Sequence, residues 1–135
     1  MSMTQETMPS VDAWLKEAKK SPKALQEGMY LVHNGTVRQT PKALVREGVD
    51  DGTKVVRMTF DYDASKVEKA IEATYKMPGI FHIRVWLNRG ELEVGDDIML
   101  VLIGGDIRPH VIDALQFLVG EIKNHCVTEI EQKNQ

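Results

Sequence analysis

The spacing of apolar positions changes several times along this chain, and each change marks an element. Ser10 is suited to cap a helix, and behind it Val11, Trp14, Leu15 and Ala18 fall on one face at 3.6-residue spacing. Ser21-Pro22 ends that helix, because proline disfavours helical geometry in the residue before it. Met29 to Val32 reads as a strand continuing toward Val37-Arg38 across Asn34-Gly35. That pair has two readings. It is either the two-residue turn of a hairpin, or part of one continuous strand in which glycine lets a ligand or another backbone approach. The polar stretch from Thr40 to Thr53 predicts a long, mobile connection with one helical turn around Lys42 to Val45.

Beyond it the period becomes two. Val56, Met58, Phe60 and Tyr62 alternate with Arg57, Thr59 and Asp61, the mark of a half-buried strand. A helix follows from Ser65, where Ser65 and Glu68 fit a capping box and Val67, Ala70, Ile71 and Thr74-Tyr75 line one face. Pro78-Gly79 stops it, and Phe81, Ile83, Val85 and Leu87 then alternate with His82, Arg84 and Trp86 as another strand. Turns are expected at Asn88-Arg89-Gly90 and at Val94-Gly95-Asp96-Asp97. Ile98 to Ile103 has no polar side, which predicts a central strand covered on both faces. The last helix opens after Gly104-Gly105-Asp106, with Asp106 as cap and Pro109 in the first turn, where its missing N–H does no harm. Val111, Leu115, Leu118, Ile122 and Cys126 form its buried stripe. The predicted order after the leading helix is β-β-α-β-β-α, an α+β arrangement.

Composition fits one globular domain over residues 1–135, with 42% hydrophobic and 27% charged residues. A chain of this size needs neither metal nor disulfide to fold, and with Cys126 as its single cysteine it cannot form an internal disulfide. The run Ile98–Ile103 is far shorter than the roughly 20 apolar residues that a membrane helix needs. The polar N-terminus lacks a signal-peptide layout. These features predict a soluble cytoplasmic protein. The charge balance, 17 Lys+Arg against 20 Asp+Glu, argues against general nucleic-acid binding. An anionic ligand must therefore be met by a local cluster of cations.

Standard catalytic signatures are absent: no Walker loop, dinucleotide-binding glycine pattern, cysteine pair or nucleophile elbow. His33, His82, His110 and His125 lack zinc-ligand spacing, so no metal is expected, and no cofactor either. Cys126 follows His125, yet it falls on the apolar stripe and reads as a buried structural thiol. Gly104-Gly105-Asp106-Ile107-Arg108 lies between a buried strand and a helix. It is either a tight turn or a phosphate cradle to which Arg108 adds a forked donor. Lys123 reads locally as a solvated lysine near a helix end, and would matter only if it met Arg38 and Arg108 in one pocket.

Three segments together carry a family likeness. Gly28-Met29 leading into Asn34-Gly35-Thr36-Val37-Arg38, the Gly90-Glu91-Leu92-Glu93-Val94-Gly95-Asp96 turn, and the Arg108-to-Lys123 helix resemble the large, catalytic subunit of molybdopterin synthase. The likeness runs from about Ser10 to Cys126, and the Gly-Glu-Leu-x-x-Gly-Asp turn is its most specific piece. It implies an α/β-hammerhead fold and a homodimer bearing two copies of a small ubiquitin-like sulfur carrier. It further implies that the carrier's C-terminal thiocarboxylate enters a pocket and gives sulfur, in two rounds, to a cyclic pyranopterin monophosphate, making a dithiolene. Substrate phosphate and carrier terminus are both anionic, so the pocket needs local positive charge. By the resemblance, Arg38 and Arg108 bind anions, and Lys123 is the catalytic lysine of sulfur transfer.

The chain departs from the family at several of these places. His33 replaces an aromatic residue, Ile107 the histidine before Arg108, and Leu87-Asn88 a His-Arg pair. The family's second lysine falls on Ile130, between Glu129 and Glu131. Whether Lys42 or Lys133 takes its place is open. Two functions follow: a divergent large subunit using Arg38, Arg108 and Lys123, or a repurposed, non-catalytic dimeric module that binds a protein or an anionic ligand.

Overall fold

The computed structural model describes residues 7–134. Its elements are α1 (Val11–Lys19), a 3-10 turn (Pro22–Gln26), β1 (Met29–Thr36), α2 (Lys42–Glu47), β2 (Val55–Tyr62) and α3 (Ala64–Tyr75). There follow β3 (Ile80–Leu87), β4 (Gly90–Glu93), β5 (Asp97–Gly105), α4 (Arg108–Glu121), a π-helical turn (Ile122–Cys126) and β6 (Val127–Lys133). The α+β class read from the pattern holds. Two strands, β4 and β6, lie outside the predicted order, because each is too short or too polar to show an apolar alternation.

The strands form two antiparallel three-stranded sheets, one ordered β1-β5-β3 and the other β4-β2-β6. As the wholly apolar run requires, β5 is central, and Leu100 to Ile103 are completely buried. Its two faces serve two cores. Met99, Val101 and Ile103 join the main core with Ile83, Val111 and Leu118, against α3 and α4, and the second sheet adds Met58, Phe60 and Leu92. Leu100 and Leu102 pack instead with Trp86 under Trp14 and Ala18 of α1. Burying a side chain the size of Trp14 is worth roughly 3 kcal/mol, enough to seat this short helix. Ser10 caps it as expected, its Oγ accepting from the Ala13 amide at 3.2 Å. Trp86 corrects one expectation: the polar-looking face of β3 is covered as well.

The structure decides four local readings. Asn34-Gly35 is not a hairpin turn; β1 runs through it, and Asn34 Nδ2 donates to the Met99 carbonyl and to Asp97 Oδ1, each at 3.1 Å. In β2 an irregularity between Val55 and Arg57 buries Val55 and leaves Val56 44% exposed, so the alternation begins one residue earlier than its sequence suggests. Asp63, rather than Ser65, caps α3: its Oδ1 accepts from the amides of Ser65 and Lys66. A carboxylate two residues upstream wins because it reaches both amides and the Ser65 hydroxyl.

At the start of α4 the cap position is Ile107, not Asp106. The Asp106 carboxylate accepts from the Ile107 amide at 2.6 Å and pairs with His110 Nδ1 at 2.7 Å. It also crowds Gly79, whose φ of +73° and lack of a β-carbon let the Pro78-Gly79 stop pass under it. Leu118, Ile122 and Cys126 continue the stripe predicted for this helix into the π turn.

Candidate functional site

Where the start of β5, the end of β1 and the inner face of β6 meet, the chain leaves a cavity of about 290 Å³. Met58, Ile98 and Met99 make an apolar floor, and Gly35 keeps the β1 wall low. Charged side chains stand around it. Arg38, Lys42 and Lys123 supply positive charge, Glu129 and Glu131 negative charge, and His33 closes the β1 side.

Each cation is delivered by a definite piece of backbone. Val37 donates its N–H to the Asp96 carbonyl at 2.9 Å and accepts from Gly95 at 2.8 Å, while the Gln39 carbonyl accepts from Val55 at 2.8 Å. The β4–β5 turn and β2 thus grip the chain on both sides of Arg38. Lys123 lies in the π turn that ends α4, between the buried Ile122 and Cys126. Such turns put an extra residue into the helix and recur at functional sites. Lys42 opens α2, and its amide is held by both Glu131 oxygens, at 3.2 and 3.1 Å. Its Nζ is 3.3 Å from Glu129 Oε2.

The electrostatics follow from burial and crowding. Lys123 is half-buried, and loss of solvent lowers its pKa from the ordinary lysine value. Glu129 partly restores it, and the charges of Arg46, Lys42 and Arg38 lower it further. His33 is pushed down in turn, first by burial and then by Lys123, so its imidazole is neutral at pH 7. An amine less basic than usual gives up its proton more readily than an exposed lysine does. Arg38 and Lys42 add cationic hydrogen-bond donors to the cavity wall.

Of the three cations singled out in the sequence, the structure brings Arg38 and Lys123 together and leaves Arg108 apart. Arg108 begins α4, and Lys123 follows its far end, about 20 Å away along the helix. The same gap separates the pocket end of β5 at Met99 from its other end at Gly105. The Gly104-to-Arg108 segment is a strand-to-helix turn whose amides are partly taken, by Asp106 and by the Gly79 carbonyl. Ile130, which the resemblance sets at the place of the family's second lysine, does not line the cavity; it is 54% exposed on the other side of β6.

Cys126 is buried, and its thiol is pushed above the usual range by burial and then by Glu121, consistent with a structural role. Among the described residues, no group of His, Cys, Asp or Glu could hold a metal ion, and no helix is long and apolar enough to cross a membrane.

Three further pocket residues, His33, Glu129 and Glu131, entered the sequence reading only as departures from the family pattern and were not named as site residues. The signal for the glutamates was present but short, since Glu129-Ile130-Glu131 alternates with the period of a strand. Lys42 appeared there only as an open substitute for a missing lysine.

The model of the family described as MoaE protein matches residues 4–125. No curated protein matches the chain in sequence. Among solved structures, molybdopterin synthase from Staphylococcus aureus superposes with a TM-score of 0.66 at 18% identity, over 82% of this chain and 77% of that one. A complex of subunits 1 and 2 of molybdopterin-converting factor from Helicobacter pylori gives 0.63 at 16%, over 90% and 74%. The molybdopterin biosynthesis MoaE protein of Burkholderia ambifaria also gives 0.63, at 18%, over 92% and 82%. At such identities the superpositions speak for a shared fold.

Proposed function

Because the chain belongs to the MoaE protein family of molybdenum cofactor biosynthesis, we propose that it is the large subunit of a molybdopterin synthase. In this reading it moves sulfur from the C-terminal thiocarboxylate of a small ubiquitin-like carrier protein to cyclic pyranopterin monophosphate. The observation that carries the reading is the meeting of Arg38 and Lys123, remote in sequence, on the walls of one apolar-floored cavity. Arg38 offers a forked donor to a phosphate or a carboxylate terminus. Lys123, with its lowered basicity, gives and takes the protons of the transfer, and the neutral His33 beside it leaves that exchange unhindered.

Arg108 enters this reading in only one way. It lies too far from the pocket of its own chain, so it reaches a guest only if a second copy presents it there. A homodimer with two carrier subunits would do this.

The test is direct. Incubating the protein with thiocarboxylated carrier and pyranopterin monophosphate should yield dithiolene product, and Lys123→Ala should abolish it. No product from folded protein, or full activity in the Lys123→Ala variant, overturns the assignment.

The two glutamates on the pocket wall favour a second reading, a binding module that keeps the scaffold without the chemistry. Carrier binding with no turnover is the result that would select it.

A further inference from the structure

β6 contributes no lysine to the pocket lining. Its two inward residues there are Glu129 and Glu131, and the cation that meets them comes from another element, the start of α2. Glu131 holds the backbone of Lys42 through the amide, while Glu129 holds the side chain at 3.3 Å. The Glu129 side chain is only 7% exposed, against 38% for Lys42. The carboxylate is therefore sunk into the wall, while the ammonium keeps a side open to the cavity mouth.

We propose that Lys42 is a further anion-binding residue of this pocket, and that Glu129 is a resident carboxylate occupying the place of a guest's oxyanion between Lys42 and Lys123. The inference rests on the reading that the pocket receives an anionic guest, and it adds the residues that set its affinity.

The reasons are electrostatic and geometric. Arg38, Lys42 and Arg46 all act on Lys123 with like charge, and Glu129 is the group that opposes them. An empty pocket with three cations and no counter-charge would be strained by their repulsion, and Glu129 relieves it. A phosphate or carboxylate entering the cavity brings charge of the same sign as Glu129 and competes for the same N–H donors. When Glu129 gives way, Lys42 stays in place, because its backbone is fixed separately by Glu131. The two carboxylates thus divide the work: one anchors the residue, the other occupies its charge.

The experiment is a titration of the full chain with two probes, inorganic phosphate and a short peptide ending in Gly-Gly with a free carboxylate. Five proteins are compared, namely wild type, Lys42→Ala, Glu129→Gln, Arg38→Ala and the Lys42→Ala/Glu129→Gln double variant, each checked for folding by circular dichroism. Lys42→Met serves if the alanine variant unfolds. Lys42→Ala should weaken binding about tenfold and Glu129→Gln should tighten it by about the same factor, the scale of one charge-assisted contact. The Gln change should lose its effect when combined with Lys42→Ala. The probe that responds identifies whether a phosphate or a chain terminus is the guest.

If Lys42→Ala binds like wild type, or Glu129→Gln binds no tighter, while Arg38→Ala loses binding, the inference falls and the pocket reading stands. If neither probe binds wild type, or Arg38→Ala binds unchanged, the pocket reading falls and takes the inference with it.

Discussion

The amide of Gly95 donates to the carbonyl of Val37 at 2.8 Å, tying the β4–β5 turn to the segment that delivers Arg38. Gly95 has a φ of +94°, and nothing lies within 4 Å of where a β-carbon would stand. Gly95→Ala therefore strains the backbone without a clash, at about 1–2 kcal/mol. The variant should melt earlier and bind phosphate more weakly, since Arg38 moves with the turn. A melt and a phosphate titration on the same sample check both.

Lys123→Met separates a working lysine from a structural one. Its lowered pKa means that burial disfavours the charged form of this side chain in the folded protein. Replacement by an apolar side chain of similar length should abolish activity yet leave stability unchanged, or raise it by up to about 1 kcal/mol. Denaturant unfolding decides, and a large loss of stability would mark the lysine as structural.

The pH profile of stability should carry the signature of His33. Its folded pKa lies below the ordinary value of 6.5, so the unfolded chain takes up a proton at a higher pH than the folded one. The stability associated with His33 is therefore fully present above pH 6.5 and is lost as pH falls through that value toward the folded pKa. His33→Phe should flatten the slope of Tm against pH between about 7 and 5. A slope unchanged by the substitution would assign acid sensitivity elsewhere.

Capping of α3 offers a clean comparison. Asp63→Ala leaves the amides of Ser65 and Lys66 without their acceptor, whereas Ser65→Ala removes only a hydroxyl that donates to Asp63. The first should lower Tm clearly more than the second, and thermal melts of the two variants measure the difference.

Trp14 closes the smaller core from above, and Trp14→Ala should cost about 3–5 kcal/mol. Urea unfolding gives the value. Loss of the β5 cover should also expose Trp86, which shifts the remaining tryptophan emission to the red.

Much of the scaffold was legible because its signals are long. The apolar run 98–103 and the stripe from Val111 to Cys126 could only be a covered strand and a packed helix, and both are found. The misses share a cause: they depend on a single residue's offset. Val56 looked inward until the irregularity beside Val55 moved the register, and Asp63 outcompeted Ser65 from just outside the helix.

The pocket was legible only in part. Lys123 has no local distinction, and only the fold brings it near Arg38. Arg108 is marked in sequence as strongly as Arg38, yet the length of α4 removes it from the same cavity. Glu129 and Glu131 were visible as acids; which way they point required β6 to be recognised as a strand.

The zigzag of that final strand has one more result. Adding or losing a single amino acid between Cys126 and Glu129 would turn Ile130 toward the ammonium groups and send both acids out to water. The polarity of the cavity can thus be reset by a one-codon slip, with no change in the kinds of residue the strand contains.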